Sequence, residues 1–259
     1  MNLSAQRELA RLLASLRREG RQQSGLETHL VPPDSATAYR VAAMVAEELD
    51  WPVVGWKIAA FKAEMQKALR TDSPIYGRTF SIEPSPFSVA HAKLASPIPE
   101  VEYQATLGID LPPRTKPYSV EEVTEAVASL HPGLELAECR FVHDAAFPPL
   151  PAILADGAGA GTIVYGAAIA DWRKRDIAAQ EATLSSNGKL RRKGTAAAAL
   201  DHPMAPLAWL VNELSRTGIG LKAGQMISTG TLTGMLAPKP GETYVANFGA
   251  FGSVTLSFT

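Results

Sequence analysis

The sequence predicts an α+β protein, and two observations carry that prediction. Amphipathic helical patterns dominate the N-terminal part of the chain, and strand-like segments with inserted helices dominate the rest. Strands and helices do not alternate regularly, which argues against a doubly wound parallel sheet. We therefore expect a helical N-terminal subdomain over residues 1–80 and a mixed, strand-rich body over residues 81–259.

Five segments carry helix signals. Residues 3–20 place leucines at helical spacing among Arg and Glu, which predicts an amphipathic helix packed on its own domain or on a partner subunit. A second helix is expected over residues 34–49, and a third over 61–70. Ser119 and Glu122 have capping-box spacing and open a helix that we expect to end near residues 131–133. The fifth helix is expected over residues 202–218, with Pro203 in its first turn.

Strand signals recur from residue 53 to the end of the chain. Asn187-Gly188 is the strongest short hairpin signal. Residues 83–99 are rich in Pro and Ser, and we interpret them as a connection between the subdomains. The predicted strands are at 53–60, 134–138 and 161–170 and within the strand-like run 97–113, with further short strands between 225 and 259.

Composition excludes several classes of function. A net charge of -1 provides no strong field for nucleic acid or an anionic membrane. No apolar run approaches the roughly 20 residues that span a bilayer, and the N-terminus lacks the apolar core of a signal peptide. The single cysteine, Cys139, has no internal disulfide partner. We therefore expect a cytoplasmic protein.

The segment PIPEVEYQATLGIDLPP, residues 97–113, places Glu100 and Glu102 one residue apart in a predicted strand. Residues i and i+2 of a strand point to the same face, about 6.6 Å apart. A solvated strand face is the ordinary explanation of such a pair. The apolar neighbours Val101 and Tyr103 favour burial instead, where two carboxylates need a positive partner. Glu135 lies in a similar apolar setting, LELAE.

Three carboxylates form a hard oxygen site of the kind that Mg²⁺ or Mn²⁺ prefers. Zinc would prefer His or Cys, and the five histidines show no zinc-binding spacing. Three carboxylates and a divalent cation leave about one excess negative charge, so an anionic substrate needs a further cation. Lys57 in GWKIA is the candidate, and a lysine at the surface end of a strand is the alternative interpretation.

Several motifs occur in an order that resembles the fumarylacetoacetate hydrolase superfamily. The similarity is closer to its branch of 2-keto-4-pentenoate hydratases and 4-oxalocrotonate decarboxylases, and it covers roughly residues 35–259. The motifs are GWKIA (55–59), PEVEY (99–103), LELAECRF (134–141), ADGAG (155–159), HPMAPLAWLVNEL (202–214) and ISTGTLTG (227–234).

The resemblance implies a fold, a metal site and an assembly. It implies a mixed sheet rolled into a barrel-like body, and a magnesium or manganese site of Glu100, Glu102 and Glu135. It implies homo-oligomers, and association with a related hydratase or decarboxylase is a further expectation. A small 2-oxo acid is the expected substrate, and neither nucleic acid nor membrane is expected as a partner.

The resemblance also implies roles for residues outside the metal site. Lys57 is implied as an active-site acid/base or as the partner of the substrate carboxylate, with Asp156 as a second catalytic residue. Gly230 and Thr231 are implied at the substrate, where a backbone N–H and a hydroxyl can hold oxygens. Arg78 is a candidate for a second substrate carboxylate, as are Arg70 and Arg140.

Two departures from the branch leave the substrate open. The branch usually has Asp-Asn where this chain has Asp156-Gly157, so an amide that could orient water is missing. Cys139 stands where serine is common, and we interpret it as a small buried residue without an adjacent base. His143 and Asp144 are expected in a surface loop.

The expected reaction is hydration of a 2-hydroxy-2,4-dienoate to a 4-hydroxy-2-oxo acid, in the catabolism of aromatic compounds. Decarboxylation of a 2-oxo-hexenedioate is the alternative, since both reactions use the same electron sink. A non-catalytic partner subunit is a third hypothesis. The two reactions differ in whether the protein must house a second substrate carboxylate.

Overall fold

A computed structural model describes residues 1–259 and contains seven α-helices and twelve strands. The helices are α1 (Leu3–Glu19), α2 (Ser35–Leu49), α3 (Ala63–Leu69), α4 (Val120–Ala126), α5 (Leu150–Ala155), α6 (Ala196–Leu200) and α7 (Met204–Arg216). The strands are β1 (Gly55–Ala59), β2 (Ile75–Thr79), β3 (Ser81–Pro84), β4 (Phe87–Val89), β5 (Ile98–Leu107), β6 (Val127–Ala137), β7 (Thr162–Tyr165), β8 (Ala182–Ser186), β9 (Lys189–Gly194), β10 (Met226–Ser228), β11 (Thr243–Asn247) and β12 (Ser253–Phe258).

Two sheets form the body of the protein. The larger is a seven-stranded mixed sheet in the order β2-β1-β10-β5-β6-β7-β3, and it curls into a half-barrel. The smaller has the order β4-β12-β11-β8-β9. In the larger sheet β1 pairs with β10, and β3 with β7, in parallel, whereas the other pairs are antiparallel. The predicted α+β class and barrel-like body are therefore confirmed.

Helices α1 and α2 pack on the outside of this body. Asn2 and Asp34 cap them, each side chain accepting a hydrogen bond from a backbone N–H of the first turn. Their apolar faces join α5 in a second, smaller core. Strands β1 and β2 precede residue 81 but pair within the seven-stranded sheet. The division into subdomains 1–80 and 81–259 stays a prediction.

Three sequence-based expectations for local structure were wrong. The helix that the Ser119 capping box opens ends at Ala126, because Val127 adopts extended backbone and residues 127–137 form β6 instead. The expected connection at 83–99 contains β4 and the ends of β3 and β5, and the expected strand at 161–170 shortens to β7. Pairing with distant strands decided each of these segments, and local patterns do not encode it.

Other expectations are confirmed. Asn187 and Gly188 both adopt left-handed backbone, with φ of 49° and 78°, and join β8 to β9 as a tight hairpin. Pro203 directly precedes α7, and Gly218 follows its end. None of the helices combines the length and apolar character that crossing a bilayer requires.

Candidate metal centre and active site

The pairing of β5 with β6 brings three glutamates together. Glu100 and Glu102 lie on one face of β5, and Glu135 stands directly opposite Glu100 on β6. Carboxylate oxygens from all three lie within 4.8 Å of one another, and all three side chains are buried. Directly opposed residues of an antiparallel pair have neighbouring side chains. The register of the ladder therefore assembles the predicted three-glutamate cluster.

Lys57 on β1 reaches this cluster from another strand. Its Nζ lies 3.8 Å from Glu135 Oε1, and the lysine is only 3% exposed. Burial lowers the pKa of Lys57, but the three nearby carboxylates outweigh burial and leave that pKa raised. The surface-lysine interpretation is therefore wrong, and a charged ammonium lies inside the protein beside the carboxylates.

Burial also shifts the carboxylates. It raises the pKa of Glu102 well above the ordinary range, with Glu135 and Glu100 as further causes. It raises the pKa of Glu135 to about 7, against the lowering effect of Lys57. Three ionised carboxylates and one ammonium would leave two negative charges in a buried volume. The cluster therefore needs further positive charge to stay ionised at neutral pH.

The cluster fits a divalent cation. Both carboxylate oxygens of Glu135 are buried and accept no hydrogen bond. Glu102 is held by one oxygen only, since Oε2 accepts from Ser228 Oγ at 2.7 Å and from Gly230 N–H at 2.6 Å. Buried polar atoms ordinarily have partners, and hard oxygen donors suit Mg²⁺, Mn²⁺ or Ca²⁺. Two positive charges would also balance the two negative charges of the cluster.

A cavity of about 460 Å³ adjoins the cluster. Lys57, Glu100, Glu102, Gly230 and Thr231 all line it. Glu135 is 1% exposed and lies at the buried side of the same group. The structure therefore brings six of the eight predicted site residues together at one cavity.

The loop after β10 contacts the glutamate cluster and also lines the cavity. The Gly230 N–H donates to Glu102, so it orients a candidate metal ligand. The backbone at Gly230 has φ of 109°, a conformation that favours glycine. Thr231 Oγ1 accepts a hydrogen bond from Gly234 N–H at 3.1 Å and is half-buried in the cavity wall. Thr231 is thus the hydroxyl-bearing residue of this loop that lines the cavity.

Asp156 does not line the cavity. Its Oδ1 accepts from Arg140 Nε at 2.6 Å, and its Oδ2 accepts from the Arg140 backbone N–H at 2.9 Å. Both side chains are 1% exposed. Arg17 of α1 donates to the backbone oxygen of Asp156 as well. Asp156 therefore holds a buried ion pair where α1, α5 and the loop after β6 meet, and the structure does not bring it to the glutamates.

Arg78 lies on the opposite face of the sheet from Lys57. On β2, Gly77 is paired with Lys57, and Arg78 is paired with Trp56. Successive residues of a strand point to opposite faces. The Arg78 guanidinium accordingly stacks over the Trp56 ring, 5.0 Å from its centroid. Neither Arg78, Arg70 nor Arg140 lines the cavity beside the glutamates.

Gly157, where the branch usually has asparagine, also lies outside this cavity. Its φ is 75°, in the left-handed region that glycine adopts freely and that asparagine tolerates better than most residues. A Cβ at this position would meet Arg17 Nη2 at 3.5 Å, an ordinary contact. The departure therefore concerns a turn beside the buried ion pair and does not enlarge the substrate cavity.

Sequence reasoning missed a cysteine–histidine contact in the cavity wall. Cys139 Sγ lies 3.2 Å from His143 Nε2, and both residues line the cavity. The expectation of a buried cysteine without an adjacent base was wrong. Burial raises the pKa of the Cys139 thiol to about 11, so it is protonated at neutral pH. The pair is a polar element of the wall, and Cys139 lacks the thiolate character of a nucleophile.

A second missed feature is an apolar stripe at the outer side of the cavity. Phe61 lies two residues before α3, Met65 and Leu69 lie within it at the same four-residue spacing, and all three line the cavity. None of the residues of α3 is buried. Helical spacing of these residues was visible in the sequence, but an apolar stripe ordinarily predicts contact with a core. Here Phe61 and Leu69 contact the cores only in part, and all three residues also border the cavity.

The curled mixed sheet and its buried acidic cluster define the class of fold that the sequence resembles. Residues 58–258 match the family described as fumarylacetoacetate (FAA) hydrolase, C-terminal. The chain belongs to the fumarylacetoacetate hydrolase family.

Relatives with named activities fall in one branch of that family. The chain is 31% identical to 2-keto-4-pentenoate hydratase of Burkholderia vietnamiensis, over 80% of this chain and 78% of that protein. It is 27% identical to 4-oxalocrotonate decarboxylase of Pseudomonas putida, over 82% and 80%.

Solved structures share the fold. The structure of 4-oxalocrotonate decarboxylase from Pseudomonas putida G7, complexed with magnesium and adipate, has a TM-score of 0.90 and 23% identity, and the similarity covers 100% of this chain and 99% of that one. Fumarylpyruvate hydrolase from Pseudomonas aeruginosa, in complex with Mn²⁺ and pyruvate, has a TM-score of 0.56 and 15% identity over 81% and 91%. Divalent metal ions are therefore bound by proteins of this fold.

Proposed function

We propose that this protein is a divalent-metal-dependent hydratase of a 2-hydroxy-2,4-dienoate, the 2-keto-4-pentenoate type of substrate. The product is a 4-hydroxy-2-oxo acid. The observation that carries the proposal is the cluster of Glu100, Glu102 and Glu135 beside Lys57, adjoining the cavity. The hydratase relatives supply the reaction, and Mg²⁺ or Mn²⁺ is the proposed cofactor.

Side chains of this protein can position the substrate and transfer protons during the reaction. A divalent cation bound by the three glutamates would supply Lewis acidity toward the 2-oxo group of the substrate. The substrate loses its 2-hydroxyl proton and gains one at C5, then water adds at C4 and a proton is placed on C3. Lys57 either exchanges the proton at C3 or pairs with the substrate carboxylate, and Thr231 can donate to a substrate oxygen.

Asp156 has no part in this scheme. Arg140 occupies both of its carboxylate oxygens, and it does not line the cavity. We infer that Asp156 stabilises the fold and leaves proton transfer to Lys57 and to water. The Gly230 N–H likewise acts through Glu102, which makes Gly230 a positioning residue.

Decarboxylation of a 2-oxo-hexenedioate is the second candidate, because a decarboxylase relative aligns over the same part of the chain. That substrate carries a second carboxylate, which normally requires a second cation. Lys62 is the one cation besides Lys57 that lines the cavity, and it pairs with Asp201. The lining also contains four glutamates: Glu64, Glu100, Glu102 and Glu138. This balance of charge favours a monocarboxylate.

Incubation of the Mg²⁺-loaded protein with each substrate, followed by mass spectrometry, tests the proposal. Gain of one water by the 2-hydroxydienoate supports it, whereas loss of CO2 from the dicarboxylate supports the second candidate. Absence of both reactions, together with absence of divalent-metal binding by calorimetry, would favour a non-catalytic partner subunit. We also propose a homo-oligomer, which sedimentation analysis would test.

A further inference from the structure

We infer that the substrate of this protein carries an extended apolar group at the end remote from its carboxylate. This inference rests on the proposed function, because the three-glutamate cluster fixes which end of the substrate lies where. The site residues Lys57, Glu100 and Glu102 occupy only one part of the cavity lining. The remaining wall is what the rest of the substrate must contact.

The size of the cavity is the first argument. Its volume is about 460 Å³, within the roughly 300–1,000 Å³ range of pockets that enclose drug-sized ligands. A pentadienoate is far smaller than such ligands, so it would leave most of this space to water. Apolar walls around excess water are unfavourable compared with walls in contact with an apolar group.

The chemistry of the remote wall is the second argument. Met65 and Leu69 of α3, together with Phe61 just before it, line the cavity, and none of the three is fully buried. Phe61 and Leu69 also pack partly against the cores, whereas Met65 is 37% exposed. Met235, from the loop after β10, is 54% exposed and lines the cavity too. Large apolar side chains gathered at the wall of one cavity are typical of a site that receives an apolar ligand.

The charge of the wall is the third argument. A polar or anionic tail would need donors, and the remote wall offers few. Lys62 is already paired with Asp201, and Glu64 and Glu138 add negative charge to the same lining. Cys139 and His143 satisfy each other at 3.2 Å. An alkyl or aryl group needs no ionic or hydrogen-bonding partner from this wall. A carboxylate, by contrast, would face the like charges of the glutamates.

A series of 2-oxo acids tests this inference by binding. We would titrate the Mg²⁺-loaded protein calorimetrically with 2-oxobutanoate, 2-oxohexanoate, 2-oxooctanoate and 2-oxoadipate. The expected affinity rises by roughly threefold for each methylene that becomes buried. 2-Oxoadipate matches 2-oxohexanoate in carbon number and is expected to bind at least about tenfold more weakly, because its second carboxylate lacks a free cation. Equal affinity across the alkyl series, or tighter binding of 2-oxoadipate, would overturn the inference.

Variants separate the apolar wall from the metal end. Met65→Ser should weaken 2-oxooctanoate binding by roughly tenfold and leave 2-oxobutanoate within about twofold, since the shorter acid has no tail to reach α3. Met65→Leu should retain the binding of the longer acid. Leu190→Ser is the matched control, because Leu190 is an exposed apolar residue on β9 that does not line the cavity. Equal losses for both acids in Met65→Ser would contradict the inference.

Failure of the inference and failure of the proposed function give different results. Flat affinity along the series that still disappears in Glu135→Gln would reject the apolar tail and keep the metal-dependent 2-oxo acid site. Absence of any 2-oxo acid binding, or binding that persists without Mg²⁺ and in Glu135→Gln, would reject the proposed function and the inference together.

Discussion

The protein contains two buried clusters in which acidic and basic side chains meet, and the two differ in how fully their carboxylates are paired. At the end of β6, Asp156 and Arg140 form one pair whose carboxylate has both oxygens occupied. In the half-barrel, three glutamates share one lysine, and the carboxylate of Glu135 accepts no hydrogen bond. We call the first cluster complete because its carboxylate has a partner on each oxygen, although Arg140 Nη1 donates no hydrogen bond. The second cluster is incomplete, because it is short of positive charge and of donors.

We infer from this difference that the first cluster stabilises the fold and that the second binds a ligand. A complete buried ion pair has little capacity to bind anything further, and its loss is felt mainly as instability. An incomplete cluster is unfavourable in the folded chain alone and becomes favourable when a cation and substrate oxygens join it. The family resemblance implied a catalytic role for Asp156, but its hydrogen bonds differ from those of the glutamates.

The largest expected effect concerns the incomplete cluster. Glu100→Ala and Glu135→Ala should each abolish divalent-metal binding and activity, because no other hard oxygen ligands lie in the cluster. The metal-free variants should be at least as resistant to urea as the metal-free parent, since a buried repelling charge is removed. Activity that survives a chelator, or a Glu135→Ala protein that binds Mg²⁺ normally, would remove the functional distinction between the two clusters.

The complete cluster should show the reverse behaviour. Asp156→Asn leaves the buried Arg140 without a counter-ion, and we expect a loss of roughly 3–5 kcal/mol in the free energy of unfolding. The folded fraction should bind Mg²⁺ with the affinity of the parent. Glu181→Gln, at the exposed pair with Lys193, is the control and should change stability little. Loss of metal affinity in folded Asp156→Asn would show that the two clusters act together.

Lys57 tests whether the incomplete cluster performs proton transfer. Lys57→Met keeps most of the apolar stem and removes the charge, and turnover should fall roughly 10²-fold with metal binding retained. A loss confined to KM would assign Lys57 to the substrate carboxylate, and a loss in kcat would assign it to the proton. Near-normal values of both would return Lys57 to a structural role like that of Arg140.

The pH dependence of the free energy of unfolding should also distinguish the two clusters, with a smaller effect than the substitutions above. The folded protein raises the pKa of Glu135 from its ordinary 4.5 to about 7, so it holds that proton more tightly than the unfolded chain does. The corresponding stability is fully present below about pH 4.5 and is lost as pH rises through about 7. We expect the urea midpoint of metal-free protein to fall across this window and Glu135→Gln to fall less. A flat profile for the metal-free parent would contradict the shift.

The smallest effect is expected at Gly157, beside the complete cluster. Gly157→Asn restores the residue usual in the branch at a left-handed backbone position, and its Cβ has an ordinary contact. We expect a change within about 0.5 kcal/mol in stability and unchanged substrate preference. Gly157→Ala, measured by the same thermal unfolding, should cost roughly 1 kcal/mol because alanine disfavours this conformation. A change of substrate preference in Gly157→Asn would connect this turn to the cavity.

The metal cluster could be predicted from sequence because its signal is local and unusual. Glu100 and Glu102 share a face by strand geometry alone, and Glu135 stood out by its apolar neighbours. The direct pairing of Glu100 with Glu135 could not be predicted, since it depends on the register between β5 and β6. The pairing of Asp156 with Arg140 could not be predicted for a similar reason. Its partner Arg140 is sixteen residues away and meets it only through tertiary packing.

The fold shows the same division. Capping and turn signals fixed the starts of α2 and α4 and the hairpin at Asn187-Gly188, because these depend on neighbouring residues. The end of α4 was mispredicted because residues 127–137 form β6, and its pairing with β5 and β7 is not visible in the local sequence. Which face of β2 carries Arg78 likewise followed from its pairing with β1.

Because Glu100 and Glu135 lie directly opposite each other, an ion bound in the cluster would link β5 to β6 across the longest ladder of the half-barrel. Separation of β5 from β6 at that point would have to break coordination before it could break the backbone ladder. Amide protons on these two strands would then exchange with solvent only from ion-free molecules, and their exchange rates would report ion occupancy. A one-residue slip of either strand would turn its carboxylates to the far side of the sheet, so an ion bound here would also favour the native alignment of β5 and β6.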